Sequence, residues 1–432
     1  MKKVLIITYY WPPSGGAGVQ RWLKFVKYLP DYGIEPFVLT VDPDYASYPQ
    51  NDPGLVNDIP AGTRIFRTRS FEILNIISRF LGKDKVPYGG FSNVPRKNFL
   101  HTLLRLVRGN FFIPDARNGW IRFATKKGRE IIETHEIDAI ITTGPPHSTH
   151  IVGLKLKRRN RKLRWIADFR DPWTDIYYYS EMLHSPPAKM IDRAKERKVL
   201  AGADRLIAVN NSVGRLLATK IDDAGKDKVT IITNGYDEDD FNFESAPSGE
   251  FIITYSGSLS ENYKPEVFFG SLAEIVRQHP EIDFKFRLAG NISSGIELEL
   301  KKYGLYPIFK YLGYVDHAAL PGLLKSSTVL LYIFPETGNK YTGSSGKLFE
   351  YLAACRPVVA IDSPYSDAAA IIEECQAGKT FTRDDHDGIR DYLEYLINEY
   401  KKAGGIKAGN GVHIKYSRSK LAGRLSRLIA DL

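Results

Sequence analysis

The sequence predicts an α/β protein with two domains, each built on a doubly wound parallel sheet. Short apolar runs rich in β-branched residues alternate with amphipathic segments of helix length, which is the order expected of βαβ units. The chain has 432 residues, 43% of them hydrophobic, whereas a single core rarely grows beyond about 250–300 residues. The alternation therefore predicts parallel sheets, and the length predicts two of them.

Eleven apolar runs are predicted as strands. In the first domain we expect strands at residues 4–8, 35–40, 139–142, 163–167, 205–209 and 229–233. A second series follows at residues 251–255, 284–289, 308–312, 329–333 and 357–361.

The boundary between the domains is predicted at the Asn234-Gly235 turn, which ends the first series and precedes an acidic segment containing Pro and Gly. The first domain then spans residues 1–234, and the second spans residues 235–414. At residues 415–432 apolar side chains recur at helical spacing, which indicates a final amphipathic helix. We expect this helix to pack back on the first domain.

Cysteine content and hydropathy exclude several classes of protein. Neither Cys355 nor Cys375 belongs to a CxxC pair or stands near a histidine at metal-ligand spacing. Disulfide scaffolds and zinc modules are therefore not expected, and a reducing cytoplasm fits best. The apolar run at residues 4–7 is too short for a signal peptide and is soon interrupted at Trp11-Pro12-Pro13. No stretch approaches the roughly 18–20 apolar residues of a membrane span.

The net charge of +10 suggests an anionic partner. Seven of the ten residues at 155–164 are basic and none is acidic. Residues 96–112 interleave basic with apolar side chains, a pattern typical of helices that lie on anionic lipid. A helix that packs on a core with one solvated face has the same pattern. Nucleic acid is not expected as a partner, because no recognisable binding module accompanies the charge.

The segment 14–18 (SGGAG) is the first candidate ligand site. It follows the first predicted strand and precedes a helix, and ligands of open α/β sheets bind beyond the carboxyl ends of strands. Glycines let a ligand approach the backbone, and the N-terminus of a helix favours an anionic group. The segment has neither the Gly-Lys-Ser/Thr of a P-loop nor a full GxGxxG. A tight turn without a ligand is therefore the alternative.

Two later turns also follow predicted strands. The segment 142–150 (TTGPPHSTH) places His147 at the carboxyl edge of the sheet and His150 about one turn further along a helix. Each histidine is either a site residue or an ordinary polar residue. The segment 167–173 (ADFRDPW) places Asp168, Arg170 and Asp171 directly after another predicted strand, with Arg170 or Asp171 as the expected substrate contact. These charges either contact substrate hydroxyls or form a structural ion-pair network.

The segment 341–359 (YTGSSGKLFEYLAACRPVV) carries the strongest signal. Small residues lead into a helix, so free backbone N–H groups and the positive end of the helix dipole can receive a diphosphate. Lys347 adds a positive charge to the first turn, where it is unfavourable unless an anion offsets it. Glu350 lies one turn further on, where it can accept hydrogen bonds from a ribose or a sugar diol. Ordinary first-turn helix stabilisation is the alternative for Glu350.

At these residues the sequence resembles the family 4 glycosyltransferases, which are retaining enzymes with the GT-B fold. The resemblance covers nearly the whole chain. It rests on the glycine segment 14–18, on 234–237 (NGYD), 255–259 (YSGSL), 312–315 (LGYV) and 356–359 (RPVV). It implies two Rossmann-like domains that face each other across a cleft, with the acceptor on the N-terminal side and the nucleotide-sugar donor on the C-terminal side.

The resemblance also implies roles for matching positions. The donor-side positions are Gly15, Gly16, Gly257, Ser258, Lys264, Tyr314, Val315, Ser344, Ser345, Gly346, Lys347 and Glu350. Among these, Tyr314 and Val315 would border the nucleotide base, and Glu350 would bind the ribose. The acceptor-side positions are Gly18, His150 and Arg170. The positions implied in catalysis are His147, which would face the reacting sugar, together with Asp171 and Glu350.

Two departures from the family pattern concern the donor. The family pairs two glutamates eight positions apart, and Thr342 stands where the first of them is expected, ahead of Glu350. The donor sugar is therefore not identified. The arginine usual after the glycine of the second domain's first turn is Ser258, and the lysine usual a few positions later matches Lys264 only with a shift of one. Lys347 is therefore expected to meet the diphosphate charge.

The predicted function is transfer of a sugar, with retention, from a UDP- or GDP-type nucleotide sugar to a glycan or lipid-linked acceptor in cell-envelope or exopolysaccharide synthesis. A sugar-nucleotide epimerase or hydrolase, or an inactive nucleotide-sugar-binding protein, is the alternative. No cofactor is expected. No metal is expected either, because no cluster of metal ligands is visible in the sequence. Residues 42–44 (DPD) have the form Asp-x-Asp, but they lie in a Pro- and Tyr-rich loop typical of a turn. We expect a cytoplasmic protein, either free or peripheral on the inner face of the cytoplasmic membrane.

Overall fold

A computed structural model of the chain describes residues 1–48, 50–72, 99–176, 178–221, 223–243, 249–336 and 345–432. These residues form two compact units. The first comprises Met1–Thr233 together with Leu421–Leu432, and the second comprises Asn234–Lys420. Each unit carries its own parallel sheet.

The first unit is built on a seven-stranded sheet. Its strands are β1 (Lys2–Ile7), β2 (Ile34–Val41), β3 (Arg64–Thr68), β4 (Ala139–Gly144), β5 (Arg164–Phe169), β6 (Arg205–Ala208) and β7 (Val229–Ile231). All neighbouring pairs are parallel, and the spatial order is β3-β2-β1-β4-β5-β6-β7. The strand order reverses between β1 and β4, and ligands bind beyond the carboxyl ends of strands at such a switch point.

Helices cover both faces of this sheet. They are α1 (Ala17–Tyr28), α2 (Phe99–Phe111), α3 (Ile121–His135), α4 (Ser148–Arg159), α5 (Pro186–Gly202) and α6 (Asn211–Thr219). Successive strand residues point to opposite faces, so Leu5 and Ile7 of β1 lie in one apolar core and Val4 and Ile6 lie in another. Because both faces are buried, the strand is a continuous apolar run in the sequence.

The second unit is built on a six-stranded sheet. Its strands are β8 (Phe251–Ser256), β9 (Phe284–Ala289), β10 (Phe309–Gly313), β11 (Val329–Ile333), β12 (Val358–Ile361) and β13 (Gly378–Phe381). The order β10-β9-β8-β11-β12-β13 places the switch point between β8 and β11. Along β11, Leu331 and Ile333 lie in one core, whereas Leu330 and Tyr332 lie in the other.

The helices of the second unit are α7 (Glu266–Gln278), α8 (Ser294–Lys302), α9 (Leu320–Lys325), α10 (Gly346–Ala354), α11 (Asp367–Glu374) and α12 (His386–Ala403). The chain then ends in α13 (Arg418–Ala430). Leu421 and Leu425 of α13 are buried in the same core as Val4 and Ile6, and Lys2 Nζ donates a hydrogen bond to the carbonyl oxygen of Ile429 at 3.0 Å. Residues of α13 are therefore part of the hydrophobic core of the first unit.

The predicted fold class, two Rossmann-like domains on parallel sheets, is confirmed. All eleven predicted strands occur, and their ends differ from the prediction by no more than two residues. Two strands, β3 and β13, were not predicted from the sequence. Each lies at the edge of its sheet with a single neighbouring strand, and each has few apolar residues among charged or small ones (RIFRT and GKTF). Edge strands commonly carry such residues, and so their apolar signal is weak.

Within the described ranges no helix is long and apolar enough to cross a membrane. The amphipathic pattern at residues 96–112 corresponds to α2, although Arg96 and Lys97 lie outside the described residues. On α2, Phe111 is 78% exposed, whereas burial lowers the pKa of Arg108. The exposed surface of α2 is therefore partly apolar, and Arg108 does not lie on a solvated cationic edge.

Candidate functional site

The N-terminus of α10 begins beside the carboxyl ends of two central strands of the second sheet. Tyrosine hydroxyls make this connection: the backbone N–H of Ser345 donates to Tyr332 Oη at 3.2 Å, and the N–H of Ser256 donates to Tyr351 Oη at 2.8 Å. Ser345 has the extended conformation of a cap residue, but its hydroxyl does not cap the helix. The helix start is thus fixed against the sheet while its first amides and the positive end of its dipole remain available to an anion.

Lys347 lies in the first turn of α10 and is surrounded by aromatic rings. Its Nζ donates a hydrogen bond to Tyr255 Oη at 2.9 Å. The same nitrogen lies 4.1 Å from the ring centroid of Tyr255, 5.6 Å from that of Tyr332 and 5.7 Å from that of Tyr263. We call these three rings the tyrosine cage. Their π faces attract the ammonium group, but no carboxylate among the described residues forms a salt bridge with it.

Burial lowers the pKa of Lys347 to about 7, and the charge of Glu350 opposes this effect only in part. The amine is therefore about half protonated at neutral pH. A phosphate oxygen next to Nζ would favour the charged form and raise the pKa again. An anion bound here would therefore change the charge of Lys347.

Gly257 is the neighbour of Lys347 at the carboxyl end of β8. A methyl group at residue 257 would lie 3.7 Å from Lys347 Nζ. The backbone of Gly257 has a φ of +113°, which favours glycine, and its N–H donates to the carbonyl oxygen of Ala289 at 2.7 Å. The structure therefore brings Gly257, predicted on the donor side, next to Ser345, Gly346 and Lys347, which were predicted to bind the diphosphate.

Glu350 is half-buried one turn further along α10. Burial raises its pKa, while His317 and Arg418 lower it and Asp240 raises it. No hydrogen bond or salt bridge of its carboxylate is found within the described part of the chain. A carboxylate held in this way can accept hydrogen bonds from a diol, as the ribose assignment requires.

The remaining donor-side predictions fall in different environments. Ser258 is exposed, and its carbonyl oxygen accepts a hydrogen bond from Tyr255 Oη at 2.8 Å. The ammonium of Lys264 is already paired with Glu336 in an ion pair whose partners are about half exposed. Tyr314 is 60% exposed after β10, and Val315 follows it partly buried. Ser344 and Thr342 lie outside the described residues.

The glycine segment 14–18 of the first unit leads into α1. Gly16 is the N-cap residue and has a φ of +98°, and the N–H of Gly15 donates to the carbonyl oxygen of Gln50 at 2.9 Å. At Gly18 a methyl group would lie 1.8 Å from Nη1 of Arg170. The two acceptor-side predictions Gly18 and Arg170 are therefore direct neighbours, and close packing against the guanidinium explains why residue 18 is glycine.

His147 and His150 lie on α4 at the carboxyl end of β4, and both are buried. The ring of His147 stacks on Trp173, with 4.7 Å between the ring centroids and 6° between the planes. His150 Nδ1 forms a hydrogen bond with Thr142 Oγ1 at 2.8 Å. Burial holds the pKa of His147 well below its usual range and lowers that of His150 to about 3. Both imidazoles are therefore neutral at physiological pH.

One nitrogen of each imidazole has no hydrogen-bond partner among the described residues: Nδ1 of His147 and Nε2 of His150. Both flank the same backbone position, because a methyl group at Gly144 would lie 2.9 Å from the first nitrogen and 2.6 Å from the second. Buried polar atoms without partners are uncommon. They mark this edge of the first sheet as a candidate ligand site.

Three charged residues at the carboxyl end of β5 have separate surroundings: Asp168 lies in the strand, and Arg170 and Asp171 follow it. Asp168 accepts hydrogen bonds from Arg21 Nη2 at 2.9 Å, Trp22 Nε1 at 2.8 Å and Thr143 Oγ1 at 2.9 Å. Arg170 Nη2 donates to the carbonyl oxygen of Pro145. Desolvation raises the pKa of Asp171 to about 6, and the charge of Arg170 opposes this shift. The ion-pair alternative therefore holds for Asp168, whereas Arg170 extends to the glycine segment.

Several residues at these sheet edges were missed from the sequence: the tyrosine cage, Tyr351, Trp173 and the buried Arg21–Asp168 pair. One local signal could have indicated the cage. Both β8 (FIITYS) and β11 (VLLYI) have a tyrosine near the carboxyl end of an apolar strand. Among the described residues no group of three or more His, Cys, Asp or Glu side chains is placed to hold a metal ion.

Two family models match the sequence of this chain. A sequence model of the family described as "Glycosyl transferases group 1" matches residues 250–399. A second, described as "Glycosyltransferase Family 4", matches residues 88–240. No curated protein sequence matches the chain.

Solved structures match the whole chain at low sequence identity. Sucrose-phosphate synthase from Thermosynechococcus elongatus has a TM-score of 0.62 at 14% identity, covering 100% of this chain and 99% of that one. A structure described as trehalose-6-phosphate from E. coli bound with UDP-2-fluoro glucose has a TM-score of 0.60 at 13% identity, covering 100% and 98%. UDP-GlcNAc 2-epimerase from Methanocaldococcus jannaschii has a TM-score of 0.54 at 10% identity, covering 100% of both chains.

The two parallel-sheet units and the structural matches define the class of the protein, which has the GT-B fold. The family is then given by the two sequence models, one matching mainly the first unit and the other matching the second. The chain belongs to the family 4 glycosyltransferases.

Proposed function

We propose that the protein transfers a sugar, with retention of anomeric configuration, from a nucleoside-diphosphate sugar to a glycan or lipid-linked acceptor. One observation carries the proposal. The buried amine of Lys347 lies in the tyrosine cage next to an uncapped helix start and Gly257, without a carboxylate partner among the described residues. A diphosphate supplies the negative charge that this arrangement lacks.

The same groups would stabilise the departing nucleotide. As the bond between the anomeric carbon and the phosphate oxygen stretches, negative charge accumulates on the diphosphate. Helix amides and Lys347, already fixed by Tyr255 and Tyr332, would meet that charge without reorganisation, which is the most effective form of electrostatic catalysis. Glu350 would hold the ribose through its hydroxyl groups.

The histidine pair supports a positioning role on the sugar side. Because His147 and His150 are neutral at physiological pH, neither supplies a proton as an imidazolium. The unpartnered Nδ1 of His147 can instead form a hydrogen bond with a hydroxyl of the reacting sugar. We assign Arg170, at Gly18, to the acceptor.

The test compares Lys347→Met with Lys379→Met. Lys379 also lies over a tyrosine ring, 5.1 Å from the centroid of Tyr392, but is an exposed residue of β13. A panel of UDP- and GDP-sugars is screened by thermal shift, and transfer is then measured with the donor that binds. We expect Lys347→Met to abolish both binding and transfer, and Lys379→Met to retain both. Retention of transfer by Lys347→Met would refute the donor-site assignment.

A sugar-nucleotide epimerase or hydrolase is the rival function, because a UDP-GlcNAc 2-epimerase shares the fold. Incubation with the donor alone separates the two. A transferase leaves the nucleotide sugar largely intact until an acceptor is added, whereas an epimerase or hydrolase converts it without one. Binding without turnover, over a broad acceptor panel, would instead favour an inactive binding protein.

We further propose an acceptor from cell-envelope or exopolysaccharide synthesis, and peripheral binding to an anionic membrane. The exposed Phe111 of α2 and the basic residues at 155–164 support the membrane proposal. Flotation with vesicles of phosphatidylglycerol and phosphatidylcholine at low salt tests it. Protein that stays unbound at low salt would rule out this mode of attachment.

A further inference from the structure

The indole of Trp173 lies between His147 and helix α5. On one side its face stacks on the imidazole of His147. On the other side its Nε1 donates a hydrogen bond to Asp192 Oδ1 at 2.9 Å. Trp173 and Asp192 are both nearly inaccessible to solvent, at 2% and 1% exposed. The position of the imidazole is thus connected, through one ring, to a buried carboxylate.

Both oxygens of Asp192 are used, each by a different residue of the loop after β5. Oδ1 accepts from Trp173, and Oδ2 accepts from Tyr179 Oη at 2.9 Å. The two donors lie on either side of the loop's central residues, so a single carboxylate fixes the loop at two points. Hydrogen bonds to an ionised acceptor are shorter and stronger than neutral ones.

The surroundings of Asp192 do not favour its charge. Burial raises the pKa of Asp192 to about 6, and the nearby carboxylates of Glu196 and Asp115 also raise it. The hydrogen bonds from Trp173 and Tyr179 act in the opposite direction. Lys195, on the same helix, donates to the carbonyl oxygen of Ile113. No salt bridge to Asp192 is present within the described ranges.

Glu196, one turn further along α5, provides a contrast. It is equally buried, at 2% exposed, but it has an ammonium partner, because Lys220 Nζ lies 2.7 Å from Oε1. It also accepts from Thr174 Oγ1 at 2.7 Å, whereas the indole N–H donates to Asp192. Glu196 is thus a paired structural carboxylate, whereas the partners of Asp192 are two aromatic side chains.

The backbone of His147 is fixed independently of the indole. His147 is the N-cap residue of α4, and the N–H of the next residue, Ser148, donates to Asp115 Oδ2 at 2.8 Å. What remains adjustable is the side-chain rotation that orients the imidazole. Trp173, at 6° to the imidazole plane, is the ring that restricts this rotation most closely.

We propose that Asp192 is a positioning residue for His147: by anchoring the indole of Trp173, it fixes the plane in which the imidazole is presented to the reacting sugar. The inference rests on the proposed transferase function for its catalytic consequence. Its structural part, the coupling of Asp192 to the His147 ring, stands on the contacts alone. Misplacement of a positioning group by about 1 Å is enough to lower a rate by up to about a hundredfold.

Three variants separate anchoring from charge and from folding. Asp192→Leu removes both hydrogen bonds. Asp192→Asn keeps an amide oxygen for the indole N–H and an amide N–H for the tyrosine oxygen. Glu196→Gln is the matched control on the same helix. We expect Asp192→Leu to lower kcat at least about tenfold with the donor KM within about twofold, and Asp192→Asn and Glu196→Gln to remain within about threefold of the unaltered protein.

Nitrogen-15 NMR of the indole and imidazole rings gives a readout that does not depend on activity. Variants Trp173→Phe and His147→Gln identify the two signals. In the unaltered protein the Trp173 indole signal should shift with a midpoint near pH 6, and in Asp192→Asn it should not. In Asp192→Leu the His147 ring signals should shift, while those of His413, in the second unit, should stay unchanged.

The two kinds of failure are distinguishable. If no donor and acceptor pair gives transfer with the unaltered protein, the proposed function fails, and the NMR comparison still decides the coupling. If His147 signals are the same in Asp192→Leu and the unaltered protein, the positioning role is refuted whatever the activity. Equal losses of kcat in Asp192→Leu and Glu196→Gln would also refute it, because helix destabilisation would then explain both.

Discussion

Lys347 provides the most demanding prediction, because its charge depends on whether an anion is bound. In the ligand-free protein burial lowers its pKa to about 7, whereas an unperturbed lysine titrates near about 10.4. A diphosphate placed at the start of α10 favours the ammonium form. Binding of a nucleotide sugar should therefore be accompanied by uptake of a proton at Lys347 when the pH lies above 7.

The magnitude follows from the two pKa values. At pH 6 the free amine is already charged and binding takes up only about 0.1 proton, whereas at pH 8 it takes up about 0.9. If the anion restores the ordinary pKa, Kd should rise about tenfold per pH unit between pH 8 and 10, or about 1.4 kcal/mol per unit. Below about pH 6 Lys347 is almost fully charged in both states, so its contribution to Kd becomes constant.

Isothermal titration calorimetry measures this uptake directly. Titrations of the nucleotide sugar at pH 8 are run in HEPES and in Tris, whose ionisation enthalpies differ, and the slope of observed enthalpy against buffer enthalpy gives the number of protons. A nucleotide sugar is preferable to the free diphosphate, because the latter has a titrating phosphate group of its own. Lys379→Met should show the same uptake as the unaltered protein.

The free energy of unfolding provides a second check, because it should rise with pH whereas donor binding should weaken. The unfolded chain has the higher Lys347 pKa, so it binds more protons between about pH 7 and 10, and the ligand-free protein should become more stable as pH rises through this window. Lys347→Met removes the cost of burying the amine and should raise the unfolding free energy at pH 7 by about 1–4 kcal/mol while abolishing binding. Tight binding at pH 8 without proton uptake would refute the reasoning, as would a strongly destabilised Lys347→Met.

Three further substitutions are predicted from single contacts. Glu350→Gln should lower transfer about a hundredfold without loss of thermal stability, because its carboxylate has no partner in the described ranges; a normal initial rate would contradict the ribose assignment. Gly18→Ala places a methyl group 1.8 Å from Arg170 Nη1, so it should raise the acceptor KM and leave the donor KM unchanged. The control is Gly322→Ala, where the added methyl group meets nothing within 4 Å, and it should change neither KM. Asp168→Asn leaves the buried Arg21 without its anion and should lower the unfolding free energy by about 3–5 kcal/mol in urea denaturation; a loss below about 1 kcal/mol would show that the pair is not structurally important.

The strands were predictable because burial on both faces makes their signal local. In β11 (VLLYI) every residue is buried, so the apolar run that predicts the strand is also the condition that stabilises it. The glycines at 16 and 257 were similarly visible, since a positive φ favours glycine regardless of what surrounds the turn. β3 and β13 show the limit, because edge strands are stabilised by one neighbour and carry a weaker pattern.

The site residues were only partly predictable. Asp168, Arg170 and Asp171 are nearly adjacent in the sequence, yet Asp168 pairs with Arg21 of α1, 147 positions away, and Arg170 packs on Gly18. No local pattern distinguishes them, because the deciding partners come from other strands and helices. Lys347 was predicted from helix electrostatics, but its pKa is lowered mainly by burial, and the tyrosines of β8 and β11 that lie around it are brought together by the order of strands in the sheet.

The sequence by itself determined what depends on neighbours along the chain: the alternation of strands and helices, the glycine turns, and a helix start with the chemistry to receive an anion. The tertiary structure alone decided which of these features meet. Parallel pairing brings the carboxyl ends of distant strands to one edge, and there it surrounds Lys347 with tyrosine rings and stacks His147 on an indole anchored by α5. Charge and pKa follow from that enclosure, because desolvation is a property of packing and not of sequence spacing.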